Sequence, residues 1–388
     1  MNEQVVAMMG LGCRWVGKTV LLSALAASLF ACSSGPEKPK PAELMANVPL
    51  INVRLAWSAK VSVIDFPLDV AVSNRGNTLT VTTAGSDGGV ASFDALTGRE
   101  LWRTNIGATI AAGVGSDGVL SAVVSNVNEV VVLDNGLVSW RQKLSTATYT
   151  SPLVAGGRVF VLGLDRSVTA FDGRTGRKLW VQKRPSDSLV LRQAGVLLAV
   201  DDTLVVGLSG RLVGLNPLDG NIRWEAPIAT ARGTNDVERM VDVIGRVSRE
   251  GDVVCARAFR AAVGCVNASR GSLLWSKPAS GSVGVHGDDR AVFGVENDGK
   301  IMAWNRTNGE RIWSTDRLQY RSLTAPVVFG RSIVVGDSNG LVHLLSREDG
   351  SPLTRLSTDG SAVIASHVAG SMLIVTTRNG GVYGFSPQ

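Results

Sequence analysis

Ala170-Phe171-Asp172-Gly173-Arg174-Thr175-Gly176-Arg177-Lys178-Leu179-Trp180 is the stretch on which the fold of this chain turns: an apolar run closing on Asp or Asn, a turn with Gly, then a run reaching Trp. The same phrase ends at Trp102, Trp140, Trp180, Trp224, Trp275 and Trp313, and a seventh copy, Arg347-Glu348-Asp349-Gly350-Ser351-Pro352-Leu353, puts Thr354 where Trp would stand. Trp57 ends an isolated run in the same rhythm, so successive spacings are 45, 38, 40, 44, 51, 38 and 41 residues. Self-similarity at such a period marks a repeat architecture, in which each unit buries its apolar face only by stacking on its neighbours.

Between one Trp and the next the chain reads as three short β-runs, for example Ser151 to Val154, Arg158 to Leu162 and Ser167 to Phe171, separated by Gly, Asp and Arg-Ser turns. The run ending at Trp makes four strands per repeat, and a four-stranded unit of about 40 residues is a propeller blade. No long amphipathic helical stretch interrupts the series, which argues against an α/β fold. The last segment supplies three strands, Ala362 to Ala365, Met372 to Thr376 and Gly381 to Phe385, and the run Asn52 to Trp57 is a fourth strand with no blade before it. The sequence therefore predicts an all-β, eight-bladed β-propeller over residues 51–388, closed by the N-terminal strand joining the C-terminal three and leaving no open edge. A content of 44 Gly and 45% apolar residues suits a turn-rich domain of this size.

What precedes the ring speaks to location. Arg14 and Lys18 lead into an apolar run from Thr19 to Phe30, ending Leu29-Phe30-Ala31-Cys32 and followed by Ser33. A basic region, a short apolar core and a small residue before the cut describe a signal peptide over residues 1–31; the core is shorter than the roughly 20 residues of a membrane-spanning helix. Leu-x-Ala-Cys resembles the bacterial lipobox, which implies lipidation of Cys32, and Ser33 suits an outer-membrane destination. Residues 32–50, rich in Ser, Pro, Lys, Glu and Ala, read as a flexible tether.

Cys255 and Cys265 fall on the two arms of one hairpin, and either a cross-strand disulfide or two reduced core thiols fits them. Aligned on the blade ending at Trp180 they match Val161 and Ala170, expected to face each other. Motifs for chemistry are explained by the repeat. Gly336-Asp337-Ser338-Asn339-Gly340 matches a nucleophile elbow, and Gly113 to Gly118 matches G-x-G-x-x-G, but a strand rather than a helix follows each. His286, His343 and His367 lie in three different repeats without Cys, Asp or Glu at ligand spacing, so no metal and no cofactor is expected. The formal charge of +6 is spread over scattered Lys and Arg rather than gathered in one run, which disfavours nucleic acid as a partner. The periodic Trp read as packing between blades.

The repeat resembles the quinoprotein-type propeller, whose blades end in a Gly-x-x-x-Trp docking phrase, as in Gly176 to Trp180. Within that class, the chain from lipobox through eight blades resembles the BamB family of outer-membrane assembly lipoproteins. The resemblance implies a non-enzymatic scaffold of the β-barrel assembly (BAM) complex, on the periplasmic side of the outer membrane. Such a scaffold binds the POTRA domains of BamA, meets the other BAM lipoproteins indirectly, and assists unfolded outer-membrane proteins. The family's Leu-x-Leu-Arg element appears as Leu189-Val190-Leu191-Arg192, and its Arg-x-x-Asp-Val-Asp element falls within Asp236 to Ile244, after Glu238. Leu189, Leu191, Arg192, Glu238, Arg239 and Asp242 are thereby implied as BamA-binding residues, with Ile244 where a second Asp is expected. Both elements follow an outermost strand, in neighbouring repeats with the long spacings of 44 and 51 residues, and insertions in repeat proteins collect on one face. The alternative is that the two leucines open the innermost strand and are buried in the ring.

A rival reading is a pyrroloquinoline-quinone dehydrogenase of the same architecture, but the resemblance there requires adjacent cysteines and a Glu/Asn/Asp calcium set, on a longer chain. A scaffold lipoprotein of some other envelope complex is a third.

Overall fold

The recurring phrase folds as its residue types require. Where the third strand of a blade ends, Asp94 Oδ1 accepts the N–H groups of Leu96 and Thr97 (3.0 and 2.9 Å), and Asp172 Oδ1 those of Arg174 and Thr175 (3.1 and 2.9 Å). Asn216, Asn267 and Asn305 cap the same turn in later blades. The Gly that follows closes the turn at positive φ, +72° at Gly98 and +70° at Gly176, where a Cβ would be strained.

The computed structural model describes residues 39–184, 190–230 and 241–388. Among these, thirty-two strands form eight antiparallel four-stranded sheets. Blades 1 to 7 cover residues 71–105, 110–143, 153–182, 197–227, 243–278, 285–315 and 327–357, each with its strands in chain order. Blade 8 sets Val53–Lys60 beside Gly381–Pro387, Met372–Thr377 and Val363–Ala369, with Val53 opposite Pro387 and Lys60 opposite Gly381. The closure read from the sequence is thus the closure observed.

The core lies between blades, and the tryptophans seal it. Each of the seven periodic indoles packs on the positive-φ Gly of the next blade's turn: Trp57 on Gly98, Trp102 on Gly136, Trp140 on Gly176, Trp180 on Gly220, Trp224 on Gly271, Trp275 on Gly309 and Trp313 on Gly350. A Cβ at any of these glycines would stand within 2.8 Å of an indole atom. Buried indole N–H groups need acceptors, and the next blade supplies them: Trp57 donates to Ala95 O (3.0 Å), Trp140 to Gly173 O (2.8 Å) and Trp275 to Arg306 O (2.7 Å). Thr354 is the exception for a topological reason. The blade it faces joins its third and fourth strands from opposite ends of the chain, so no Gly turn awaits an indole. Ile51, Val53 and Phe385 fill that junction instead, with Leu50 N–H donating to Leu353 O at 2.7 Å.

Two sequence expectations change here. The tether expected over residues 32–50 is docked from Ala42 onward: Ala42 O accepts from Arg321 Nε and Nη2 (3.0 and 2.7 Å), and Met45 O accepts from Arg355 Nη2 (3.2 Å). Leu44 packs against the core between blades 6 and 7. Composition missed this because the arginines that satisfy the segment's carbonyls lie 279 and 310 residues away and carry no local signal. Cys32 lies outside the described residues. The cysteine alignment also shifts by one: Cys255 and Cys265 are opposite one another and disulfide-linked, but in blade 3 Ala170 faces Phe160, while Val161 faces Thr169.

The two motif matches sit where the repeat places them. Ser338 is in the hairpin turn between Ser332–Gly336 and Leu341–Ser346, and Gly113 to Ser116 belong to the strand Ile110–Ser116, before a turn into Leu120–Ser125.

Candidate functional site

The connections from blade 3 to blade 4 (183–196) and from blade 4 to blade 5 (228–242) are the two longest between blades, and the described residues at their C-terminal ends come together. The end of the first pairs with the strand that follows the second: Gly195 bridges Ile244, and Gly245 N–H donates to Ala194 O at 2.9 Å. Leu191 N–H reaches Asp242 Oδ2 at 3.5 Å. The innermost strand of blade 4 starts only at Leu197, so Leu191 and Arg192 lie on the connection rather than inside the ring. Leu191 is half-buried and Arg192 exposed, its guanidinium 5.2 Å from the ring centre of Tyr149, a cation–π distance. Leu189, Glu238 and Arg239 lie outside the described residues.

Asp242 sits against a residue that sequence reasoning did not select. Arg166, at the tip of the hairpin joining the second and third strands of blade 3, has φ +61° and a side chain only 7% exposed. Its Nη2 donates to Asp242 Oδ1 at 3.0 Å and its Nη1 to Ser209 Oγ, on the equivalent hairpin tip of blade 4. Asp242 itself is 15% exposed. A pair this enclosed makes its geometry stiff, because removing one partner leaves the other charge poorly solvated. One signal was available: Arg166 stands with positive φ at a turn position where blades 1, 6 and 7 carry Gly88, Gly299 and Gly340, so a long cationic side chain there departs from those repeats. Ile244 is the reverse case. The position expected to carry a second acid is 2% exposed, in the innermost strand Val243–Glu250 of blade 5. A carboxylate there would be taken out of water.

A second set of polar groups faces the channel along the ring axis, a cavity of about 860 Å³ lined by Asp69, Arg246, His286, His367 and Arg378 among others. Arg246 Nη2 lies 2.8 Å from His367 Nε2, and Asp69 Oδ1 lies 3.4 Å from the same nitrogen. Burial, then the charges of Arg246 and Arg306, push His286 down to about 4 against the pull of Asp288. Burial, Arg246 and His286 hold His367 well below its usual value. The sequence spaced these histidines repeats apart; the ring sets their innermost strands around one axis. Their chemistry is that of neutral imidazoles beside a guanidinium. His343 is elsewhere, buried against Asp337 at 3.1 Å.

The chain matches a family model described as outer membrane protein assembly factor BamB over residues 86–315. It is 38% identical over 366 residues to the outer membrane protein assembly factor BamB of Burkholderia pseudomallei, covering 92% of this chain and 94% of that one. It is 35% identical over 376 residues to the protein of the same name from Bordetella pertussis, covering 95% and 96%. The crystal structure of BamB from Moraxella catarrhalis shares the fold with a TM-score of 0.78 at 23% identity, covering 86% of this chain and 100% of that one.

Proposed function

The chain belongs to the BamB family of outer-membrane protein assembly factors, and from that premise we propose that it is a non-enzymatic scaffold holding BamA through the paired connections after blades 3 and 4. It is an assembly factor of the BAM complex at the outer membrane. In the finer reading, Cys32 carries the lipid and the ring faces the periplasm. BamA's POTRA domains dock on the face built by Leu189, Leu191, Arg192, Glu238, Arg239 and Asp242, the other BAM lipoproteins are met through BamA, and unfolded outer-membrane proteins are passed along.

The observation that carries this is the joining of the two longest connections by Leu191 and Asp242, with Arg192 left outward on Tyr149. A half-buried leucine beside an exposed guanidinium has the make-up of an interface centre, where Arg and aromatic residues are enriched. The Cys255–Cys265 bridge suits an oxidising compartment. It also ties two strands inside blade 5 rather than presenting vicinal cysteines over the channel, which counts against the quinone-dehydrogenase reading.

The test is binding of the purified full chain to the periplasmic region of BamA. Arg192→Glu is expected to weaken it at least a hundredfold, on the scale of an interface hot spot of about 3 kcal/mol, with an unchanged melting temperature. Undiminished binding by Arg192→Glu moves the interface elsewhere; no binding by the wild-type chain points to another envelope complex.

A further inference from the structure

Asp242 looks like half of a charged contact surface, yet both of its carboxylate oxygens are engaged within the chain. Oδ1 takes Arg166 Nη2 at 3.0 Å and Oδ2 takes the Leu191 N–H at 3.5 Å, and the side chain keeps 15% of its exposure. Arg166 is tied in turn to Ser209 Oγ. The chain of contacts therefore runs from the hairpin tips of blades 3 and 4 through Asp242 to the backbone of Leu191. Next to it, Arg192 is exposed over Tyr149.

We propose that Asp242 and Arg166 form an internal latch that positions the Leu191–Arg192 connection, and that the partner is met by Arg192, Leu191 and Tyr149 rather than by Asp242. This rests on the interface proposed above and changes what it presents: with the Asp242 charge met inside the chain, the described part of the face is cationic and aromatic. The partner surface it fits carries a carboxylate, to meet the guanidinium, beside an apolar side chain, to cover Leu191. Fixing the connection in the free ring removes ordering that would otherwise oppose association, so the latch acts on affinity without contact.

The proposal separates from direct contact because a latch has two halves that fail as one. In the full chain, Asp242→Asn and Arg166→Gln are each expected to weaken binding to the periplasmic region of BamA about tenfold, and the double variant by no more than either alone, as coupled residues do. Without any partner, Asp242→Asn is expected to speed amide hydrogen exchange at Leu191, with melting temperature tracking whether the ring stays folded. Losses that multiply in the double variant, or lost binding with unchanged exchange at Leu191, make Asp242 a direct contact and overturn the proposal. So does undiminished binding by Asp242→Asn. Failure of the interface itself shows differently, as undiminished binding by Arg192→Glu.

Discussion

The junction between blades 2 and 3 and the junction between blades 7 and 8 solve one problem in two ways. In the first, Trp140 lies on Gly176 and donates its indole N–H to Gly173 O, both in one turn of the neighbouring blade. In the second that turn does not exist, because Gly381–Pro387 and Val53–Lys60 meet from opposite ends of the chain. Thr354 takes the tryptophan's place, and Ile51, Val53 and Phe385 fill the space. The tryptophan is thus not a general property of blades; it is the complement of a glycine turn, and it disappears where the turn disappears.

The largest effect expected from this contrast is that of Trp140→Ala. Emptying an indole's place in a core costs about 3–5 kcal/mol, and the carbonyl of Gly173 loses its donor. Chemical denaturation should show that loss with little change in the native circular dichroism, and a loss below about 1 kcal/mol would mean that junctions do not depend on their indoles.

Acid should act next, on the channel rather than the junctions. His286 is held near 4 and His367 well below its usual value, so the folded ring prefers both neutral while the unfolded chain protonates near 6.5. The contribution of His286 is complete above about pH 6.5 and is lost as pH falls from there toward 4, and that of His367 has the same sign. Each tenfold difference in proton affinity between the folded and unfolded chain is worth about 1.4 kcal/mol, so His286 alone accounts for a decline of about 3 kcal/mol. Melting temperature across that window should fall for the wild-type ring and fall less for His286→Gln; equal slopes would remove His286 from the account.

The smallest effect sharpens the comparison at its odd member. Thr354→Trp restores the repeat's consensus, yet it should destabilise by about 1–3 kcal/mol, the cost of overpacking, since Ile51 and Val53 already occupy the junction and no glycine turn receives the ring. A gain in stability would show that the junction had room after all.

Period made the ring legible. The Asp or Asn, the Gly and the Trp of each repeat act on one another at fixed spacing or on the adjacent repeat, so blade number, strand count, closure and the packing role of the tryptophans could all be read in one dimension. The two unusual connections were legible as departures from that period, and they are where the candidate interface lies. Less legible was which of their residues point outward: Ile244, where the resemblance places an acid, is buried because the innermost strand of blade 5 begins before it.

By itself, then, the sequence determined an eight-bladed ring closed by its own ends, because blade-forming contacts recur locally and every copy repeats the same residue pattern. Only the tertiary structure decided that Arg166 meets Asp242 across 76 positions, that Arg246 meets His367 across 121, and that Arg321 holds the backbone of Ala42 across 279. Those contacts join hairpin tips, channel strands and a docked N-terminal segment, each occurring once. Their energies depend on where the closed ring brings distant side chains, and no spacing in the chain encodes that.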